Sequence, residues 1–490
     1  MESSIQQFME FGLEKLGKVI NNFINDDGMD VGELVLGLGE PLQELQRSLV
    51  AETLEAIDDV YRRSAFRKEG YVIDRKDDLN SFMSTCGEIK YKRTYFKSKE
   101  TGEFVHLADE ACGITKNMRK SQDVVAEGIK HVIDSSYRIS GEHATNTDDV
   151  ISKQAIMKDI HDLDIPDYIS PVKEKKQVKV LYINADEDHV SLQFNKEKGG
   201  LKTGKNGRKI NTVEPWLACV FEGIEPEGEG SKRHRLINKH CIAGLYKGSE
   251  GIWNDVLHYI DAVYDEEYLE KVYIMGDGAP WIKAGVDVIG AKCSFVLDKF
   301  HLNQSIMKAI RHLGDSVDDA RDLIYDGISC EELDDIRNVF KIADKHAESD
   351  AKKEQIRRTK TYIENHWEAI IRPNNDEYAR MGCSAEGQVS HILSARLSSR
   401  PLGWSKKGVD NMARLRAYDA NGGNIYDLLK YQKEKKERQI REEIREEVDW
   451  KIREKQKTCT DAWNHETVAA SIGLVNGIYS TMKKLRGICG

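Results

Sequence analysis

The chain has 490 residues, enough for two or three domains and a large buried core, so size does not exclude an enzyme. Its 73 Lys and Arg stand against 83 Asp and Glu, a formal net charge of -10 that excludes a uniformly basic nucleic-acid coat. A DNA enzyme is not excluded, because it needs positive potential only along the path of the phosphates, and carboxylates wherever a metal is held.

Apolar residues Ile5, Phe8, Met9, Leu13, Leu16, Ile20 and Ile24, then Leu42, Leu45, Leu49, Leu54 and Ile57, recur at spacings near three and four and predict two amphipathic helices. The glycine-rich stretch 27–39 between them reads as a loop or a broken helix end. The opening segment has acidic residues and a helical period in place of a charged leader and an apolar run. No later segment offers about 18 consecutive apolar residues, so the expectation is a cytoplasmic, reduced protein that does not enter a membrane. The run 88–96 alternates in character, Glu100-Thr101-Gly102-Glu103 supplies a turn, and 104–107 returns, which predicts a hairpin. A helical stretch over about 121–137, a polar loop through Thr147 and a helix over about 152–163 outline a helix-turn-helix. Ser152 would cap the second helix and place Lys153 and Gln154 on its exposed first turn, where recognition helices meet base edges. Two ordinary packed helices fit the same pattern.

After Pro171 the pattern changes. A strand over 178–184 is expected to run past Asp186-Glu187-Asp188 to 190–193, followed by strands over 214–222 and 235–246. Then come a helix over 249–264, a strand over 271–275 leading into Gly276-Asp277-Gly278, a helix from about 280, and a strand over 293–297 ending at Asp298. The order β-β-β-α-β-α-β is that of an α/β, RNase H-like mixed sheet, with three antiparallel strands leading into parallel ones. Residues 300–372 read as nearly continuous helix, an all-helical insertion placed at about 300–380, and another helix begins near Ser384. Residues 428–457 mix 11 Lys and Arg with 8 Asp and Glu, as a solvated helix or a DNA-contacting one would. The expected organisation is an α+β N-terminal region over 1–170 for DNA-end recognition, a catalytic domain over 171–420 and a charged helical C-terminal tail over 421–490. The nine cysteines are odd in number and never spaced C-x-x-C, which argues against zinc fingers and a disulfide framework.

Three acids stand where the sheet would gather its strand ends: Asp186 at the first strand, Asp277 just past the fourth, and Glu386 on the late helix. Phosphodiester cleavage by two metals needs hard oxygen ligands, so that one Mg2+ activates water or a 3'-hydroxyl and the other stabilises the leaving oxygen. Mn2+ is expected to substitute. Neighbouring strands lie about 5 Å apart, so carboxylates remote in sequence can share ions about 3.5 to 4 Å apart. Asp277 would sit at the carboxyl edge, where open α/β sheets place their sites, though Asp-Gly is also an ordinary turn. Asp186 and Asp188 share a strand face and Glu187 points away; Asp186, directly after the apolar run, is the favoured ligand and Asp188 the alternative. Asp298 and His301 follow the next strand, and His301 could orient a carboxylate or the scissile phosphate, or belong to a helix cap or the core. Glu386 has small neighbours that let its helix approach the sheet, and it equally fits a first-turn acid favouring the helix dipole.

Two basic segments complete the reading. Residues 196–209 hold six basic residues, one acid and four glycines, among them Lys202, Lys205 and Arg208, as a phosphate-contacting loop or a merely solvated one would. Arg396, Arg400, Lys406 and Lys407, with Arg414, Arg416 and Trp404, form a basic patch containing an aromatic, which suits a DNA backbone track.

The stretches 86–96, 181–189, 274–281, 297–302 and 384–404 together resemble bacterial insertion-sequence transposases of the ISLre type, related to the Mutator-like DDE superfamily. The likeness spans almost the entire chain, and Asn184, where an acid is expected, departs from it. It implies that Asp186, Asp277 and Glu386 are the catalytic triad holding two Mg2+ ions, that Asp298 and His301 form the acid-x-x-His motif, and that the insertion separates the last two acids. It further implies cleavage at transposon ends followed by strand transfer into target DNA. The partners would be double-stranded DNA with terminal inverted repeats, the target DNA, and further copies of the chain in a homodimer or larger assembly at the nucleoid. A transposase-derived DNA-binding protein without catalysis and an RNase H-like nuclease are the alternatives.

Overall fold

The computed structural model describes residues 2–25, 30–165, 172–193, 202–203, 209–231, 233–400, 402–439 and 442. The chain divides into two compact units, Met1–Tyr426 and Asp427–Gly490. The fold is mixed α/β.

The first unit opens with Glu2–Gln7, a π-helical turn Phe8–Gly12 and Leu13–Asn25, followed by a 33-residue helix Val31–Arg63. Gly32, Gly37 and Gly39 lie inside that long helix, so the loop or broken helix end expected over 27–39 does not reach past Asp30; residues 27–29 lie outside the described residues. Asp30 starts it, its carboxylate accepting from the Glu33 amide at 2.9 Å. Gly37 serves close packing, since a Cβ there would stand 2.8 Å from the Val19 side chain of the preceding helix. Strand Gly87–Ser98 matches the expected run, but its long partner is Tyr71–Ser84, paired from Ser84↔Gly87 out to Tyr71↔Ser98. The expected return arm is only Phe104–Val105. Helices Gln122–Val132 and Lys153–His161 stand where the helix pair was expected, with a further short helix, Tyr137–Glu142, in the expected loop. The Ser152 hydroxyl caps the last of them, and Lys153 and Gln154 are exposed.

Five strands form the central sheet: β1 (Val180–Glu187), β2 (Trp216–Phe221), β3 (His240–Gly244), β4 (Lys271–Gly276) and β5 (Cys293–Leu297). Their order is β3-β2-β1-β4-β5. β2 runs antiparallel to β1 and β3, whereas β4 runs parallel to β1 and β5. Helix α1 (Ser249–Val263) links β3 to β4, and α2 (Pro280–Ile289) links β4 to β5. Successive side chains of a strand face opposite ways. Leu181, Ile183 and Ala185 of β1, with Val272 and Ile274 of β4, turn toward α1 and α2, where Trp253 is wholly buried. Val180 and Tyr182, Tyr273 and Met275, and Val296 turn to the other face, which Ala379, Met381 and Cys383 cover.

Three details depart from the sequence reading. β1 stops at Glu187, because the Asp188 carboxylate accepts the His189 amide and interrupts the ladder; Val190–Ser191 pairs separately with Thr212–Val213. The expected strand over 235–246 is broken at Asn238, whose φ is 49°, into His234–Ile237 and β3. Cys219 and Cys241, register partners on β2 and β3, are joined by a disulfide that spacing along the chain could not reveal.

The insertion comprises α3 (Lys299–Ile310), α4 (Val317–Ser329), α5 (Leu333–Lys345), α6 (Asp350–Asn365) and α7 (Trp367–Asn375). Leu302, Ile306, Ile324, Phe340, Ile356 and Ile363 extend the core on the α1–α2 side of the sheet into it. α8 (Ala385–Val389) and α9 (Lys406–Ala420) follow. The second unit is helical over 427–439; the remainder of the helix expected over 428–457, residue 442 apart, lies outside the described residues. Among the described residues no helix is long and apolar enough to cross a membrane.

Candidate active site

Strand register brings three acids to one edge of the sheet. Asn184 of β1 pairs with Met275 of β4, and Gly276 pairs with Leu297 of β5. Two residues beyond the first pair and one beyond the second, Asp186, Asp277 and Asp298 stand level on adjacent strands spaced about 4.8 Å apart. The Asp298 amide donates to the Gly276 carbonyl at 2.9 Å, carrying the pairing to that level. Counting by twos from Tyr182, Tyr273 and Val296 assigns all three acids to the face covered by Ala379, Met381 and Cys383.

The Asp277 turn is tightly held. A Cβ at Gly276 would stand 2.6 Å from the Ala185 carbonyl oxygen, so only glycine lets β4 approach β1 there. Gly278 has a φ of +88°, and a Cβ on it would stand 2.4 Å from the His366 Nε2. Asp277 Oδ1 accepts the Ala279 amide at 2.8 Å, and its backbone carbonyl accepts the Tyr362 hydroxyl at 2.7 Å.

Asp186 is partly buried, and its Oδ1 accepts the Glu187 amide at 2.9 Å. Burial pushes its carboxyl up to about 6; the charges of Asp277 and Glu187 add to the rise, while that amide bond and His301 oppose it. Burial also raises the Glu187 carboxyl, with Asp277 again contributing, although Trp281 Nε1 donates to it at 2.6 Å. Burial, then the charge of Asp298 and, less strongly, those of Asp186 and Asp277, push the Cys383 thiol up. Among the described residues no Lys or Arg forms an ion pair with Asp186 or Asp277. His301 Nδ1 lies 3.2 Å from Asp298 Oδ2, outside hydrogen-bond geometry, and Asp298 Oδ1 caps α3 by accepting the Phe300 amide at 3.1 Å.

Asp188 lies two residues further along the same strand face; it is buried, its Oδ1 accepts the Ser398 hydroxyl at 2.9 Å, and its Oδ2 has no hydrogen-bond partner among the described residues, whereas register places Asp186 level with Asp277. Glu386 is exposed in the first turn of α8, which packs on β1 and β2. The Asn184 amide donates to the Ser384 hydroxyl at 2.8 Å and fastens the start of that helix to β1. Among the described residues, no three His, Cys, Asp or Glu side chains are grouped closely enough to hold a metal ion. The pair Asp186 and Asp277, with no Lys or Arg ion pair among the described residues, suits an ion that takes one or two carboxylates and completes its shell with water and substrate phosphate.

The expected DNA contacts divide. Arg400, Lys406 and Lys407 are exposed, as are Lys153 and Gln154. Arg396 is instead buried: its Nε donates to the Val132 carbonyl at 3.1 Å and its guanidinium lies 4.8 Å from the centre of the buried Trp404 ring. Arg414 pairs with Asp410, and Arg416 binds the Ile133 carbonyl and Asp134, so these too are tied up within the fold. Lys202 lies in a short strand paired with Lys209–Ile210, while Lys205 and Arg208 lie outside the described residues. Sequence reasoning missed Tyr362, His366 and Cys383. Gly278 was the only local sign that something from elsewhere presses on the Asp277 turn.

Comparison with known proteins returns relatives along the whole chain. A UPF0236 protein of Caldanaerobacter subterraneus subsp. tengcongensis is 35% identical over 488 residues, 98% of this chain and 96% of that one. Another from the same organism, whose name joins eleven locus designations, is 36% identical over 94% of this chain and 92% of its own length. A UPF0236 protein in the vanSb 3' region of Streptococcus gallolyticus is 23% identical over 83% of this chain and 86% of that one. Among solved structures, the Drosophila P element transposase strand transfer complex matches at 12% identity and a TM-score of 0.23, covering 67% of this chain and 84% of that one, a likeness too slight to bear on function. The family model for the uncharacterised protein family UPF0236 matches residues 24–437, and the chain belongs to that family.

Proposed function

We propose that this chain is a DDE transposase with an RNase H-like catalytic domain, cutting DNA at the ends of a mobile element and joining them to a target. The observation that carries the reading is the level placement of Asp186 and Asp277 on adjacent parallel strands, on the face against which the Glu386 helix packs. The strand order, three antiparallel strands followed by two parallel ones, supports the fold assignment. The relative named for eleven loci supports mobility, since repetition of one coding sequence in a genome is what a self-copying element leaves behind.

Mg2+, or Mn2+ in its place, supplies Lewis-acid chemistry when bound, activating water or a 3'-hydroxyl and stabilising the leaving oxygen. Asp186 and Asp277 are the residues that would hold it, with Glu386 delivered by α8 as the third carboxylate. Asp186, its carboxyl raised by burial and by the neighbouring charges, is kept in a state that gains from a nearby cation. His301 orients the scissile phosphate, and Asp298 holds the start of its helix. Lys153, Gln154, Arg400, Lys406 and Lys407 contact DNA, as do Lys202, Lys205 and Arg208 of the basic loop. Further copies of the chain assemble on the paired DNA ends.

The test is incubation of the full chain and Mg2+ with a donor plasmid carrying matched inverted repeats and a separate target plasmid. The reading expects donor ends joined to target DNA. Cleavage without joined products would make the protein a nuclease, and binding without cleavage would make it a DNA-binding derivative.

A further inference from the structure

We infer that Tyr362 and His366, at the end of α6 in the helical insertion, are positioning residues that set the Asp277 turn from behind; this rests on Asp277 serving as a metal ligand. Tyr362 donates its hydroxyl to the Asp277 backbone carbonyl at 2.7 Å. His366 Nδ1 lies 2.7 Å from the Tyr362 carbonyl oxygen, an acceptor, so Nδ1 donates its hydrogen there and Nε2 points away from that bond. That Nε2 is buried and has no hydrogen-bond partner among the described residues. It presses directly on Gly278, where a Cβ would stand 2.4 Å away.

A buried polar atom without a partner costs free energy, so the place of this one, against the Asp277 turn, calls for a physical reason. The arrangement closes the Asp277 turn between a hydrogen bond on its carbonyl and an imidazole against the following glycine. The direction of the Asp277 carboxylate thereby depends on the seating of α6. Since Ile356 and Ile363 of α6 share the core of α3, α4 and α5, the insertion as a whole is mechanically coupled to the acidic edge. Residues that fix the orientation of a metal ligand are typically worth about 10- to 100-fold in metal affinity.

The test is Mn2+ binding to the full-length protein without DNA, followed by electron paramagnetic resonance, together with thermal melting in chelator. Tyr362→Phe removes the hydroxyl and nothing else. The expected result is a loss of Mn2+ affinity of about tenfold in a protein that melts cooperatively, with a larger loss in Asp277→Asn. A Tyr362→Phe protein that binds Mn2+ as the wild type does, while Asp277→Asn binds weakly, overturns the inference and leaves the proposed metal site standing. Unchanged binding in Asp277→Asn overturns the metal site and the inference with it. Should Tyr362→Phe fail to fold, His366→Gln is judged by the same outcomes.

Discussion

Asp186 carries a charge that its surroundings oppose. An ordinary Asp titrates near 3.8, whereas burial and the facing Asp277 raise this one to about 6. Below pH about 4 the group is protonated in the folded and unfolded states alike. Between about 4 and 6 the folded protein keeps a proton that the unfolded chain has lost, so stability falls as pH rises through that window, and above it the penalty is constant. On the proposed function, a bound divalent cation would offset the penalty. In chelator at pH 7, Asp186→Asn is therefore expected to melt above the wild type, by a shift on the order of a few degrees, and Mg2+ should raise the wild type more than the variant. A variant that melts lower in chelator would contradict this assignment. Arg396 makes the opposite kind of prediction. Arg396→Ala strips a buried hydrogen bond and the packing against Trp404, so it should cost about 1 to 3 kcal/mol in urea unfolding and leave the DNA affinity of the folded protein unchanged.

At the scale of elements, the sheet was readable where apolar runs are short and bounded. β5 follows the expected 293–297 residue for residue, and β4 extends the expected run by one, to Gly276. Tyr71–Ser84 was not readable, because Asp74, Arg75, Lys76, Asp77, Asp78 and Asn80 are poor strand formers and the ladder slips twice to absorb them. Gly37 misled for a related reason: it is used for helix packing and not for a turn. Ile274 of β4, wholly buried between the sheet and the covering helices, tests the sheet as the frame of the site. Ile274→Ala should cost about 2 to 5 kcal/mol, measured by the shift in denaturant midpoint; a cost near zero would mean that β4 is not packed as described. Gly278→Ala forces a left-handed φ on an L residue and drives a methyl into His366, so it should destabilise by about 1 to 3 kcal/mol or more.

At the scale of the whole molecule, the candidate site was legible in part. Asp186 and Asp277 could be placed because a strand followed by an acid is a local pattern, and register then makes them neighbours. The surroundings of Asp188 were not legible locally, since its carboxylate meets Ser398, which lies 210 residues away. The basic patch divided for the same reason: exposure of Arg400, Lys406 and Lys407, and burial of Arg396, are decided by what packs on them. Replacing Arg400, Lys406 and Lys407 together by Ala should weaken DNA binding at all sequences and flatten the dependence of log affinity on log salt by about 0.9 for each phosphate that is no longer neutralised. An unchanged salt slope would remove that surface from the DNA path.

The pairing of Asp186 with Asp277 is tested most directly by cleavage kinetics on a DNA end in Mg2+, comparing wild type with Asp277→Asn at equal DNA occupancy. The account predicts that the variant binds the end as tightly as the wild type and cuts it more than about 100-fold more slowly, exceeding what loss of an outer-shell partner costs. Cutting at the wild-type rate by Asp277→Asn, or by the wild type in excess chelator, would contradict it.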